Sequence, residues 1–154
     1  MKYFKRIIIF IFINFLTFSS FANEFVGIIG AGVGEVKNQN NQKLENGSKI
    51  FYGDTIIVGS KSTAQVLFLD QTVMTLGEDS EITIDEFIYD PKTNDGKFVS
   101  NIKSGTIKII TGKISKKNPD NLEIKIPTGA IGARGTEFVV LANSKNENTV
   151  LLLG

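Results

Sequence analysis

The sequence predicts an all-β domain, built either as a sandwich of short strands or as a solenoid-like β-roll. Short apolar or alternating segments recur about every ten residues between glycine, asparagine and aspartate turns. No segment shows the i, i+3, i+4, i+7 apolar spacing of an amphipathic helix. The chain has no exact repeat of fixed length, so a regular solenoid is not required.

Residues 1–22 are predicted to be a signal-peptide helix that precedes this domain. A positively charged segment ending at Arg6 is followed by an apolar run over residues 7–18. The run is shorter than the roughly 20 residues of a membrane-spanning helix. Ser20 and Ala22 place small residues at the two positions that a signal peptidase reads, so we expect cleavage between Ala22 and Asn23. An uncleaved membrane anchor is the alternative.

Residues 23–154 are predicted to form the single domain, and their composition excludes several functions. The chain contains no cysteine and no histidine, which removes disulfides, thiol nucleophiles, imidazole bases and the usual zinc ligands. The leader holds three of the 17 Lys and Arg residues, so 14 remain against 16 Asp and Glu, a net charge of −2. That balance argues against nucleic acid, which needs a basic surface.

The first strand should be twisted or bulged, because residues 25–36 contain four glycines without a dinucleotide-binding pattern. Segment 63–69 is apolar on both faces, which predicts a strand buried between two layers. Residues 112–121 are predicted to be a basic, polar loop. The other predicted strands are 49–52, 55–58, 72–76, 81–85, 98–102, 106–110, 122–126, 138–141 and 149–153.

The sequence offers no constellation typical of catalysis or metal binding. The acidic clusters at 78–81 and 85–86 lie at the two ends of the predicted strand 81–85, and neighbouring side chains on a strand point to opposite faces. No serine stands in a G-x-S-x-G elbow. Residues 90–96 superficially resemble a calcium loop, but Lys92 occupies a ligand position and a hairpin turn is favoured. We expect no enzyme activity and no cofactor.

A glycine-arginine stretch follows the strand at 122–126. It places Gly129, Gly132 and Gly135 three residues apart and contains Arg134, the only arginine after the leader. The favoured interpretation is that the Arg134 guanidinium binds carbonyls of its own turn. The alternative is that it meets a carboxylate or phosphate of a partner.

Residues 127–140, which include Arg134-Gly135-Thr136 and Phe138, resemble the closing motif of the FecR domain, the periplasmic sensing part of regulators of iron-uptake signalling. Earlier segments are similar to the same family: residues 44–47, the turn at Gly53-Asp54, and the buried strand that ends in Asp70. The resemblance covers about residues 34–141. It implies a periplasmic all-β interaction domain.

The chain departs from the family in two places. It has Asp70-Gln71-Thr72 where the family often has Asp-Gly-Ser. Only six residues precede the apolar leader, so the cytoplasmic anti-sigma segment of typical members is missing. Asp54 is expected to close its turn by accepting backbone N–H groups. The motif residues with a structural or partner-contact role are Gly53, Asp54, Asp70, Gly132, Arg134, Gly135, Thr136 and Phe138.

These observations favour a non-catalytic, exported domain that binds another envelope protein. The alternatives are a scaffold domain of a larger surface protein and a carbohydrate or polymer binder, for which Phe51-Tyr52 and Tyr89 offer slight support. The apolar run Val150 to Leu153 resembles a strand whose return strand is missing. We therefore expect that the gene continues past Gly154 or that the product self-associates through this strand.

Overall fold

The computed structural model describes residues 24–132, 137–143 and 148–153. The predicted leader and its cleavage point between Ala22 and Asn23 lie outside these residues. The described residues form strands β1 (Phe25–Val33), β2 (Val36–Asn38), β3 (Lys49–Phe51), β4 (Thr55–Val58), β5 (Thr63–Phe68), β6 (Val73–Leu76), β7 (Glu81–Tyr89), β8 (Gly96–Ile110), β9 (Leu122–Ile126), β10 (Gly129–Gly132), β11 (Glu137–Ala142) and β12 (Thr149–Leu152), and one short helix, α1 (Lys113–Lys117).

The strands form two layers that share β8, so the predicted all-β fold class is confirmed. The first layer, sheet A, has the strand order β3-β1-β5-β6-β8-β11-β12. The second layer, sheet B, has the order β2-β4-β7-β8-β9-β10. Neighbouring strands are antiparallel except for β8 and β9, which run parallel. Because β8 takes part in both sheets, the strand network folds over on itself at this strand.

The core lies between the two layers and is aliphatic apart from a cluster of phenylalanines. Phe68 of sheet A packs on Phe98 and Phe87 of sheet B, with ring centroids 4.6 Å and 5.8 Å away. Phe87 and Phe98 meet edge to face. Contacts between aromatic rings at these distances add to the stabilisation that apolar burial provides. This cluster therefore ties the two sheets together.

One long strand replaces the two strands predicted at 98–102 and 106–110. The first half of β8 pairs with β7 and β9, and its last residues pair with β6 and β11. Gly105 stands at the change of sheet with φ +97°, and a Cβ there would lie 2.5 Å from the Ser80 Cα. Glycine thus bends the strand without ending it, because it alone tolerates this conformation and this close approach.

Two other predictions from the sequence need correction. The outer face of β5 is not buried under a second layer, because Leu67 is only partly buried and Leu69, just after the strand, is exposed. The predicted loop 112–121 contains α1 and a 3₁₀ turn, Pro119–Asn121. Ile114 of α1 is fully buried and drives this helix against the core.

The bulges predicted for the first strand are present, with register shifts on both sides of β1.

Candidate protein-interaction site

The motif residues Gly53 and Asp54 close the turn between β3 and β4. Gly53 adopts φ +82°, and Asp54 accepts a hydrogen bond from the Phe51 backbone N–H at 2.9 Å. The other Asp54 oxygen accepts from the Gln39 side chain at 3.3 Å. Both Asp54 oxygens are thus engaged inside the domain, where they join the turn to the segment after β2.

Asp70 is fully buried at the tight turn between β5 and β6. Its carboxylate accepts hydrogen bonds from the Thr72 N–H at 3.0 Å, the Thr72 hydroxyl at 2.8 Å and the Ile114 N–H at 3.4 Å. The Asp70 carbonyl accepts from the Lys113 N–H at 2.7 Å. This one residue therefore fixes a turn of sheet A to the first turn of α1, and its oxygens serve the fold.

Thr72 and Gly112 complete this contact, and the sequence analysis assigned neither of them a structural role. The Gly112 N–H donates to the Thr72 hydroxyl at 3.0 Å, and a Cβ on Gly112 would collide with the Thr72 nitrogen. Gln71 has φ +72°, a left-handed conformation that favours glycine. Gln71 and Thr72 thus stand where the family that the chain resembles often has glycine and serine. A glycine two residues after an apolar strand was the available signal for Gly112.

The glycine-arginine stretch is only partly within the described residues. Arg134, Gly135 and Thr136 lie outside them, so the two interpretations of Arg134 stay open. Gly132 ends β10 opposite Glu123, and a Cβ there would meet nothing within 4 Å. Phe138 is buried in β11 and pairs with Ile109 of β8. Phe138 is therefore a core residue, and partners cannot reach its side chain.

An aliphatic row crosses the outer face of sheet A. The strand registers align Ile28 with Leu67, Leu67 with Val73, and Val73 with Ile110, so the row spans β1, β5, β6 and β8. Ile28, Leu67 and Val73 are partly exposed, and Ile110 is 40% exposed. Outer faces of antiparallel sheets usually carry polar residues. We call these four residues the outer row.

The outer row lies close to the backbone of β1 and is bordered by polar residues. A Cβ on Gly30 would lie 2.7 Å from the Leu67 side chain, which therefore lies directly over the backbone of β1. The neighbouring row on β5, β6 and β8 consists of Gln65, Thr75 and Lys108. Lys108 forms an ion pair with Glu137 of β11. The surface is thus an apolar strip beside a polar one.

A shallow groove on the opposite side of the domain has a volume of about 380 Å³. It is lined by Tyr52, Glu24, Ile88 and the β7 residues Asp85 and Glu86, among others. Tyr52 is 49% exposed, but Asp85 and Glu86 form ion pairs with lysines. The groove thus offers an aromatic face next to carboxylates.

Tyr89 and the hairpin loop after it serve a local role. The Tyr89 hydroxyl donates to Asn94 at 2.9 Å, so Tyr89 does not extend the Tyr52 groove into an aromatic row. Residues 90–95 connect β7 to β8, as the hairpin interpretation predicts. Lys117 donates a hydrogen bond to Asp95, and this contact lowers the pKa of the Asp95 carboxyl.

Among residues 24–132, 137–143 and 148–153, no three acidic side chains are grouped so that they could hold a metal ion. Within the same residues, no helix has the length and apolar character needed to cross a membrane.

The strands and the hydrogen-bonded turns at Asp54 and Asp70 form an all-β domain, and these motif residues hold its strands together. The family model for the FecR protein matches residues 54–154, well over half of the chain. The chain therefore belongs to the FecR family. The match begins at Asp54, after the similar segment at residues 44–47, and continues past Leu141 to the last residue. No curated protein and no solved structure matches the chain significantly.

Proposed function

We propose that this chain is a non-catalytic, exported FecR-family domain that binds another protein of the cell envelope through the outer row of sheet A. Its family associates it with signalling at the envelope. The outer row is the observation that carries the proposal, because it aligns accessible aliphatic side chains across four strands. Contiguous apolar surface of this kind typically marks an interaction site.

The chemistry of the outer row favours a protein segment as the ligand. Completing the burial of its four aliphatic side chains would contribute on the order of 1 kcal/mol each. The polar strip beside it, with Gln65 and Lys108, supplies groups that can bind the margin of the same segment. An apolar centre with a polar rim is the usual composition of a protein interface.

The proposal is tested by comparing two exposed isoleucines on different layers. Ile110→Glu places a charge in the outer row, whereas Ile88→Glu places one on β7, where Ile88 is 57% exposed. We expect Ile110→Glu to lose the envelope protein that copurifies with the wild-type domain, and Ile88→Glu to retain it. Ile88→Glu should keep the wild-type melting temperature, and Ile110→Glu should lower it only slightly, because its carboxylate faces Glu137, which is already paired with Lys108. Equal retention by both variants, with folding intact, would contradict the proposal.

The Tyr52 groove favours carbohydrate binding as a second candidate function. Sugar rings stack on exposed aromatic side chains, and carboxylates accept hydrogen bonds from sugar hydroxyls. Here Tyr52 lies near Glu24 and Asp85. If envelope polysaccharide is the ligand, Tyr52→Ala should abolish its binding while Ile110→Glu leaves it unchanged.

A further inference from the structure

The outer row ends in a charged residue on each side. The strand register aligns Lys49 of β3 with Ile28, the first aliphatic residue of the row. At the other end, Glu137 of β11 is aligned with Ile110. Side chains directly opposite each other on neighbouring strands share one face of a sheet. The row therefore begins with a cation at β3, continues through its four aliphatic side chains, and ends with a carboxylate at β11.

These two charges differ in whether the domain already neutralises them. Glu137 forms an ion pair with Lys108 of the neighbouring polar strip. Lys49 is exposed and forms no ion pair with any described residue. Its ammonium group lies 5.8 Å from the centre of the Phe25 ring, which is 36% exposed. Among the described residues of the row and the strip, Lys49 is thus the one positive charge without a carboxylate.

The spacing of the outer row distinguishes a helical ligand from an extended one. Neighbouring strands lie about 4.8 Å apart, so four residues on four adjacent strands span about 14 Å. Side chains on one stripe of a helix recur about every 5.4 Å, so four of them span about 16 Å. Side chains on one face of an extended chain recur about every 6.7 Å, and four of them span about 20 Å. A helix that crosses the strands therefore matches the row more closely than an extended chain does.

We propose that the ligand of the outer row is an amphipathic helix of the envelope protein, with a carboxylate side chain placed against Lys49. This inference rests on the proposed function and specifies the ligand of the same site. Apolar residues of the helix at positions i, i+4, i+7 and i+11 cover the four aliphatic side chains. A Glu or Asp one turn beyond them meets the ammonium group of Lys49 beside Phe25.

Two other ligands fit the charges of this face less well. If two copies of the chain met face to face, the carboxylate available to Lys49 within the row would be Glu137, which Lys108 already binds. An anionic membrane is recognised by clusters of roughly four to eight Lys and Arg residues, whereas this face has one unpaired lysine. One carboxylate on a partner helix matches that single charge.

The helical spacing is tested by photocrosslinking at three neighbouring positions of the outer row in intact producing cells. A compact photoreactive side chain replaces Leu67, Val73 or Ile110 in turn, and mass spectrometry identifies the partner residue that each one marks. We expect the three positions to mark one segment, at sites three or four residues apart and in order along the row. The same group at position 88 is the control and should not mark this segment.

These measurements separate the inference from the proposed function. Marks two residues apart, or marks in segments distant in the partner's sequence, would overturn the helix and leave the outer row as the interaction site. An adduct of twice the chain's mass would identify a second copy as the ligand and would overturn both statements. The absence of a protein adduct at all three positions would also overturn both.

The carboxylate of the ligand is tested by reversing the charge at position 49. With the photoreactive side chain kept at position 110, Lys49→Glu should lower the adduct yield about fivefold, because repulsion between carboxylates replaces an ion pair. Lys49→Arg should retain the yield. Lys92→Glu, which changes an exposed lysine in the loop after β7, is the matched control and should also retain it. Equal yields from Lys49→Glu and Lys92→Glu would overturn the acidic character of the ligand.

Discussion

Asp70 shows how a single buried carboxylate can hold distant parts of this domain together. It serves a turn of sheet A and the start of α1 through three hydrogen bonds to its side chain and one to its carbonyl. In the described part of the chain, every buried side-chain nitrogen and oxygen has a hydrogen-bond partner. Removal of the Asp70 carboxylate would leave several of these buried donors without an acceptor.

We predict that Asp70→Ala lowers the free energy of unfolding by about 3 kcal/mol or more, because it leaves buried donors on Thr72 and Ile114 without acceptors. The matched variant Asp54→Ala should cost only about 1 kcal/mol, since Asp54 is partly exposed and water can replace it. Urea denaturation of both variants measures the difference. Equal losses would show that burial of the Asp70 carboxylate has no special role.

Local patterns in the sequence were sufficient to predict the structural role of some of these residues. The Asp54 turn follows from Gly53 and an aspartate at short range, so its hydrogen bond to Phe51 could be expected. The contact between Asp70 and Ile114 joins residues 44 positions apart. A single sequence contains no signal for such a pairing, because it depends on how α1 packs against a turn of sheet A.

At the scale of elements, β8 determines how the two layers are connected. Its first half belongs to sheet B and its last residues belong to sheet A. The sequence suggested two strands here, because Lys103-Ser104-Gly105 looks like a turn. Gly105 instead permits a bend at φ +97° while the strand continues. Alternation predicts where strands occur, but it cannot separate a bend from a break.

Substitution of Gly105 tests this role of β8. Gly105→Ala would combine a left-handed backbone with a collision against Ser80, and we predict a loss of about 3 kcal/mol or more of unfolding free energy. The control is Gly47→Ala, which has φ +85° but no atom within 4 Å of the added Cβ. It should lose only about 1 kcal/mol. Thermal and urea unfolding measure both, and similar losses would contradict the account.

The outer face of β5 is a feature of sheet A that the sequence did not predict correctly. The apolar outer residues of β5 were read as a sign of burial between two layers. The structure leaves Leu67 partly accessible, as part of the outer row. Apolar residues on both faces therefore have two explanations, a covering layer or a binding surface. The sequence cannot choose between them, because the choice depends on which elements pack nearby.

At the scale of the whole molecule, the domain has two separate surfaces that could bind a ligand. The outer row lies on the central strands of sheet A, whereas the Tyr52 groove is lined in part by β7 of sheet B. Substitutions in one surface should therefore leave binding at the other unchanged.

Site-specific photocrosslinking in intact producing cells tests the central claim, that the outer row binds another envelope protein. A photoreactive side chain at position 110 should yield an adduct of this chain with one different protein, and the same group at position 88 should not. If position 110 gives no protein adduct, or the same adducts as position 88, the outer row is not the interaction site.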